Sequence, residues 1–120
     1  MVNMSSQTLI NAELKRAEQA RALGKEGQAR VCARRAAGIA AHDYYERRGE
    51  PIRTSSAYDL LKMLVEDSAL SVDLRQSAAL FTLRVDNEFK LPPDIDLIIE
   101  AKKLCGKLMK LNTSDDLTDP

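Results

Sequence analysis

Residues 25–49 read KEGQARVCARRAAGIAAHDYYERRG, and their reading decides the fold. The stretch contains no proline and runs to a terminal glycine, which marks one long helix. At 1.5 Å per residue its roughly 23 helical positions would span about 34 Å. Ala29, Ala33, Ala36, Ala37, Gly38, Ala40 and Ala41 carry so little side chain that neighbouring helices can approach to interaxial distances of about 8–10 Å. A helix with such a surface belongs in the centre of a bundle. On a 100° wheel Ala29, Cys32, Ala33, Ala36, Ile39 and Ala40 share one face, and Asp43 and Arg47 continue it toward the C-terminus. Tyr44 borders that face. Gln28, Arg35, His42 and Glu46 line one edge, while Arg30, Arg34, Ala41, Tyr45 and Arg48 lie across the other side.

Outward from this helix, the flanking sequence supplies four more. Upstream, Ser5 or Ser6 caps a helix that reaches Leu23 and ends at Gly24, with Ile10, Leu14, Ala17 and Ala20 as its buried stripe. The link to the long helix is so short that the two must form an antiparallel hairpin. Glu13, Lys15, Arg16, Glu18 and Arg21 read as solvated charges. Downstream, GEPIRTSS (49–56) is a loop carrying a helix stop, a proline and capping hydroxyls. A third helix is expected from about Ser56 to Ala69, burying Tyr58, Leu61, Leu64 and Val65. A fourth runs from about Val72 to Val85, with Leu74, Ala78, Phe81 and Val85 on one side. DNEFKLPPD (86–94) has no helical period and places two prolines before a fifth helix, near Pro93 to Leu111. Its stripe is Ile95, Ile98, Ala101, Leu104, Cys105 and Leu108, and its lysines 102, 103, 107 and 110 sit where cations suit the helix dipole. The fold class is therefore all-α, an antiparallel bundle of five helices in one domain, residues 1–120, with disorder expected at 1–5 and 112–120.

The chain has 120 residues, enough for one real core and too few for two. Lys plus Arg and Asp plus Glu total 18 each, so no net field draws the molecule to nucleic acid or to an acidic membrane, and any such binding needs a local patch. The first residues lack a cationic segment followed by an apolar one, and no run of about 18 apolar residues occurs, so the expectation is a cytoplasmic protein with no membrane association. Cys32 and Cys105 fall inside helices, where a buried reduced thiol is expected. Two thiols and a single His, without short Cys spacing, do not build a tetrahedral zinc cage, so neither metal nor cofactor is expected.

Three constellations carry candidate chemistry. Asp43 and Arg47, four apart, can pair side by side; at that position they form a solvated pair, a structural polar network or a binding site. Arg35 and His42, two turns apart on one edge, can converge on a phosphodiester, with His as proton carrier and Arg against developing negative charge. Arg30, Arg34, Arg47, Arg48 and Arg53 compose a basic patch with Tyr44 and Tyr45 as stacking faces, suited to RNA, to a phosphate-bearing ligand or to a dimer contact. The binding residues singled out are Asp43, Tyr44, Arg47, Arg34 and Arg48. Gly24 and Gly27 make no phosphate loop, because no strand precedes them and no Gly-Lys-Ser/Thr follows. Ser55–Ser56 reads as a cap.

The hairpin pattern AxxARxxGxxxxA, Ala17 to Ala29, and the late segment LRVDNEFKLPPDIDLIIEAKKL, Leu83 to Leu104, together resemble the HEPN superfamily of small helical domains. The likeness covers most of residues 12–108. It implies a four- or five-helix bundle, often homodimeric, tied to nucleotide or RNA metabolism. Catalytic members carry an Arg and, after four to six intervening residues, a His near the start of a late helix. Here Arg75 is followed at those distances by Leu80, Phe81 and Thr82, and Arg84 by Phe89, Lys90 and Leu91. Neither has its histidine, so the fold and dimerisation carry over and no catalytic residue does. The function expected is a non-catalytic HEPN-like binding or assembly module, linked to a nucleotidyltransferase-type or nucleic-acid partner. The alternatives are a metal-independent ribonuclease using Arg35 and His42, and a purely structural homo-oligomer.

Overall fold

The computed structural model describes residues 5–83 and 95–118, with the backbone alone for 112–118. Over these residues the chain is all helical: α1 (Ser6–Ala22), α2 (Glu26–Arg47), α3 (Ala57–Val65), α4 (Val72–Leu80) and α5 (Leu97–Thr118), with no strand among them. The expected extended connection 86–94 and residue Val85 lie outside the described residues, as do 1–4 and 119–120. Of the ends expected to be disordered, Ser5 serves as the cap of α1, and the backbone of 112–118 continues α5.

Local chemistry sets most boundaries. Ser5, Ser56 and Ser71 each accept a hydrogen bond from the backbone N–H three residues on, at 3.1, 3.2 and 3.2 Å. Asp96 does the same for α5, its Oδ1 taking the N–H groups of Ile98 and Ile99. Both long-helix exits use glycine at φ +75°, Gly24 after α1 and Gly49 after α2. At the first, Lys25 N–H returns to Ala20 O and Gly24 N–H to Arg21 O; at the second, Glu50 N–H returns to Tyr45 O and Gly49 N–H to Glu46 O. These paired bonds satisfy the last helical carbonyls while the left-handed glycine reverses the chain.

α3 and α4 are shorter than the expected Ser56–Ala69 and Val72–Val85. Asp67 is the reason for the first: its Oδ1 accepts from Ala69 N–H and its Oδ2 from the Tyr45 hydroxyl, which binds the chain into a turn. Past α4, Thr82 Oγ1 and Thr82 N–H both return to Ala79 O, closing a turn instead of another helical repeat.

α2 is the axis of the bundle, packing against α1, α3 and α5. Of the face read from the wheel, Ala29, Cys32, Ala33, Ala36 and Ala40 are buried and Ile39 is half-buried. Ala41 and Tyr45, placed on the outer side by the wheel, are buried as well, and so is Ala37. With neighbours on three sides, this helix keeps only an edge in water. Cys105 Sγ lies 3.5 Å from Ala36 O, at the α2–α5 contact, and burial pushes its thiol up to about 12. Both cysteines are free and buried. In α3 the interior positions are Leu60, Leu61 and Leu64, with Tyr58 and Val65 half-buried. In α5 Ile95 precedes the helix, and Ile98, Ala101, Leu104, Cys105 and Leu108 form the buried stripe.

Gly38 fixes how closely α3 approaches. A Cβ built there would stand 2.6 Å from Ala57 Cβ and 2.9 Å from Ala57 Cα. Only a residue without a side chain lets the first turn of α3 rest on α2 at this point. Two polar ties hold the ends. Arg21 Nη1 donates to Asp96 Oδ2 at 2.8 Å, while its Nε and Nη2 donate to Glu26 at 3.1 and 2.7 Å. Lys102 Nζ donates to Glu18 Oε2 at 2.6 Å. No helix among the described residues is long and apolar enough to cross a membrane.

Candidate functional site

The residues singled out from sequence divide between two places. At the C-terminal end of α2, Asp43 is 9% exposed, and it belongs to a polar network. Its Oδ1 accepts from Ser6 Oγ at 2.9 Å, and its Oδ2 pairs with Arg47 Nε at 3.2 Å. The carboxylate thus ties the start of α1 to the end of α2, which is the partnership a buried charge requires.

Tyr44 and Tyr45 are interior residues, so the expected stacking faces for RNA bases are not exposed. Tyr44 is 3% accessible, meets Tyr45 edge to face at 5.1 Å between centroids, and has the Arg48 guanidinium 5.3 Å from its ring centre. Burial, and then the hydrogen bond to Asp67, hold the Tyr45 phenol well above its ordinary range. The expected basic patch is divided in the same way. Arg34 Nε donates to Phe81 O at 3.2 Å and ties α2 to the end of α4; Arg47 pairs with Asp43; Arg48 pairs with Glu50 at 3.5 Å. These cations are bound to the protein's own groups. The two tyrosines, also suited to a dimer contact, are used inside the fold.

Arg35 and His42 stand elsewhere, in a groove of about 590 Å³ between α1, α2 and the start of α3. α2 supplies its floor through Arg35, Gly38, Ile39, His42 and Glu46, which follow the 3–4 spacing of one helix edge. From α1 come Ser6, Leu9 and Glu13, again on one edge. α3 and its approach add Ser55, Ala57 and Leu60, brought in by the close contact at Gly38.

The electrostatics of the groove are uneven. Glu13 Oε2 accepts from Arg16 Nη1 at 3.1 Å, while Oε1 is buried with no hydrogen-bond partner among the described residues. Glu46 lies 3.9 Å from His42 Nδ1. Arg35 is exposed, and among the described residues its guanidinium has no hydrogen bond or ion pair. Seven residues of helical rise put Arg35 and His42 about 10 Å apart along the axis.

No family model, curated protein or solved structure matches this chain. What the groove can do rests on its own side chains: a guanidinium suited to a planar anion, an imidazole beside a carboxylate, two serine hydroxyls, and apolar walls from Leu9, Ile39 and Leu60. No group of three or more His, Cys, Asp or Glu among the described residues can hold a metal ion.

Sequence reasoning missed Glu13 and Leu9 and took Ser55 for a cap, a role that Ser56 fills. Leu9 carried the one usable signal, a large apolar residue next to the Ile10–Leu14–Ala17 stripe. It remains 38% exposed in the structure, at the mouth of the groove.

Proposed function

We propose that the chain is a non-catalytic, HEPN-like binding module whose ligand face is the groove between α1, α2 and α3. The observation that carries this is Arg35: a guanidinium free of partners among the described residues, in a concave site with apolar walls. Ser6 joins the groove to the Asp43–Arg47 network, so the Asp43 end supports the site as a brace. One feature argues against the ribonuclease alternative: Glu13 and Glu46 in the same groove oppose a phosphodiester. The concave, polar-and-apolar site also favours a binding role over a purely structural homo-oligomer.

The resemblance to HEPN domains suggests a nucleotidyltransferase-type or nucleic-acid partner and a second copy of the chain as the assembly to test. Purified protein incubated with RNA in EDTA should release no more product than its His42→Ala variant. Robust cleavage by the wild type, abolished by that substitution and matched by growth inhibition on expression, would overturn the proposal. Pull-down of native partners with nucleic acid retained, together with sedimentation of the isolated chain, tests partner and dimer.

A further inference from the structure

We infer that the groove takes a small zwitterion with an apolar body, its protonated amine on Glu13 and its acid group on Arg35. The inference rests on reading the groove as the binding face and names what that face selects.

Two unmet polar demands of opposite kind line this groove. Glu13 has one carboxyl oxygen bonded to Arg16, while the other, Oε1, is buried with no hydrogen-bond partner among the described residues. A buried acceptor in that state is destabilising until a donor reaches it. Arg35 is the converse case, an exposed guanidinium with five N–H donors and no hydrogen bond or ion pair among the described residues. The hairpin sets the two side by side. Ser6 on α1 bonds Asp43 on α2, which fixes the antiparallel register. Glu13 stands seven residues along α1 from Ser6, and Arg35 eight residues back along α2 from Asp43, rises of about 10 and 12 Å from that shared bond. They line the groove at one level without bonding each other. The other lining carboxylate, Glu46, lies three turns along α2 from Arg35, beside His42.

The class of ligand follows from having to meet both demands. A lone anion on Arg35 leaves Glu13 Oε1 unmet and approaches its negative charge; a lone cation on Glu13 leaves Arg35 unmet and approaches its positive charge. One molecule carrying both groups satisfies each and sets each charge beside its opposite. The ammonium supplies donors, and the guanidinium fork donates equally well to a carboxylate or a phosphonate. Glu13 Oε1 comes to the groove by rotation about the last side-chain bond, a soft torsion. Leu9, left 38% exposed, joins Ile39 and Leu60 as the surface for the apolar body, and a volume of about 590 Å³ suits a small molecule.

L-Leucine and its two halves, 4-methylpentanoate without the amine and 3-methylbutylamine without the acid, are titrated separately into isotope-labelled protein at neutral pH and followed by NMR. Leucine should shift the Leu9, Gly38 and Ile39 signals with a Kd on the order of millimolar, and each half should bind about tenfold more weakly. In Arg35→Gln leucine should lose its advantage over 3-methylbutylamine, and in Glu13→Gln its advantage over 4-methylpentanoate. Arg35 is exposed and glutamine has the shape of glutamate, so neither variant should melt below the wild type. The phosphonate analogue of leucine identifies the acid: tighter binding than leucine assigns a phosphonate-type end and weaker binding a carboxylate, and either result supports the zwitterion. A half that binds as tightly as leucine, or leucine keeping both advantages in the variants, overturns the zwitterion and leaves the groove as a binding face. So does an Arg35 Nε–H that exchanges slowly in the free protein and fast in Glu13→Gln, which would show the two side chains closed on each other. No groove shift from any of these compounds overturns both.

Discussion

Gly38→Ala should destabilise the protein, although the same exchange in a helix interior ordinarily stabilises by about 1 kcal/mol. The new methyl group would lie 2.6 Å from Ala57 Cβ and 2.9 Å from Ala57 Cα. Neither atom is the tip of a flexible side chain. Both belong to the first turn of α3, so the helix itself must move. Overpacking of this kind costs about 1–3 kcal/mol and sometimes more. Set against the propensity gain, the expected net loss is up to about 2 kcal/mol, a fall in Tm of up to roughly 10 °C for a chain of this length. Gly106 is the control, since it is helical and exposed in α5 and a Cβ there meets nothing within 4 Å. Gly106→Ala should raise Tm. Ala57→Gly removes the closest contact, so the double variant should recover part of the loss, with a coupling of about 0.5 kcal/mol or more. Thermal and urea unfolding followed by far-UV circular dichroism read the wild type and all four variants. Should Gly38→Ala be as stable as Gly106→Ala, the close approach of α2 and α3 would be refuted, and the shape of the groove with it.

Three other outcomes follow from the same contacts. Asp43→Ala removes the acceptor for Ser6 and the partner of Arg47, and urea unfolding should show a loss of about 1–3 kcal/mol, with Ser6→Ala losing less. Hydrogen bonding from Arg21 holds the Glu26 and Asp96 carboxyls below their ordinary 4.5 and 3.8, so their stabilisation is complete above those values and fades as pH falls through and below them. Tm measured from pH 6 to 2 should therefore fall less steeply in Arg21→Gln; equal slopes would remove the pairing from the account. Tyr45 is the opposite case, a neutral phenol favoured by burial and by Asp67, so its stabilisation is complete below pH 10 and declines as pH rises above it. Its phenolate absorbance should appear only with unfolding, and Tyr45→Phe should cost about 1 kcal/mol at neutral pH.

Much of the helix inventory was legible because its causes are local. Serines before apolar runs became the caps of α1 and α3, and Gly24 and Gly49 closed α1 and α2 where a left-handed residue was needed, whereas Ser71, the cap of α4, went unread. The lengths of α3 and α4 were not legible. Asp67 ends the one through a bond to Tyr45, 22 residues away, and no period of α3 announces that partner.

For the site, the seven-residue spacing of Arg35 and His42 correctly put both on one edge of α2, and nothing in α2 said that this edge would face a groove. Glu13 reads as a surface charge on its own helix and becomes part of a site only because α1 lies beside that edge. By itself the sequence determined five helices, the caps of α1 and α3 and an alanine-rich axis, since capping and periodicity act over a turn or two of chain. Only the tertiary structure decided which polar residues were spent inside and which were left facing the groove. Tyr44, Tyr45 and Asp43 were enclosed, Arg34 was half-buried and tied to Phe81 O, and Arg35 was left exposed, because a wheel gives a residue's angle on one helix, whereas burial depends on how many neighbours surround that helix and where they stop.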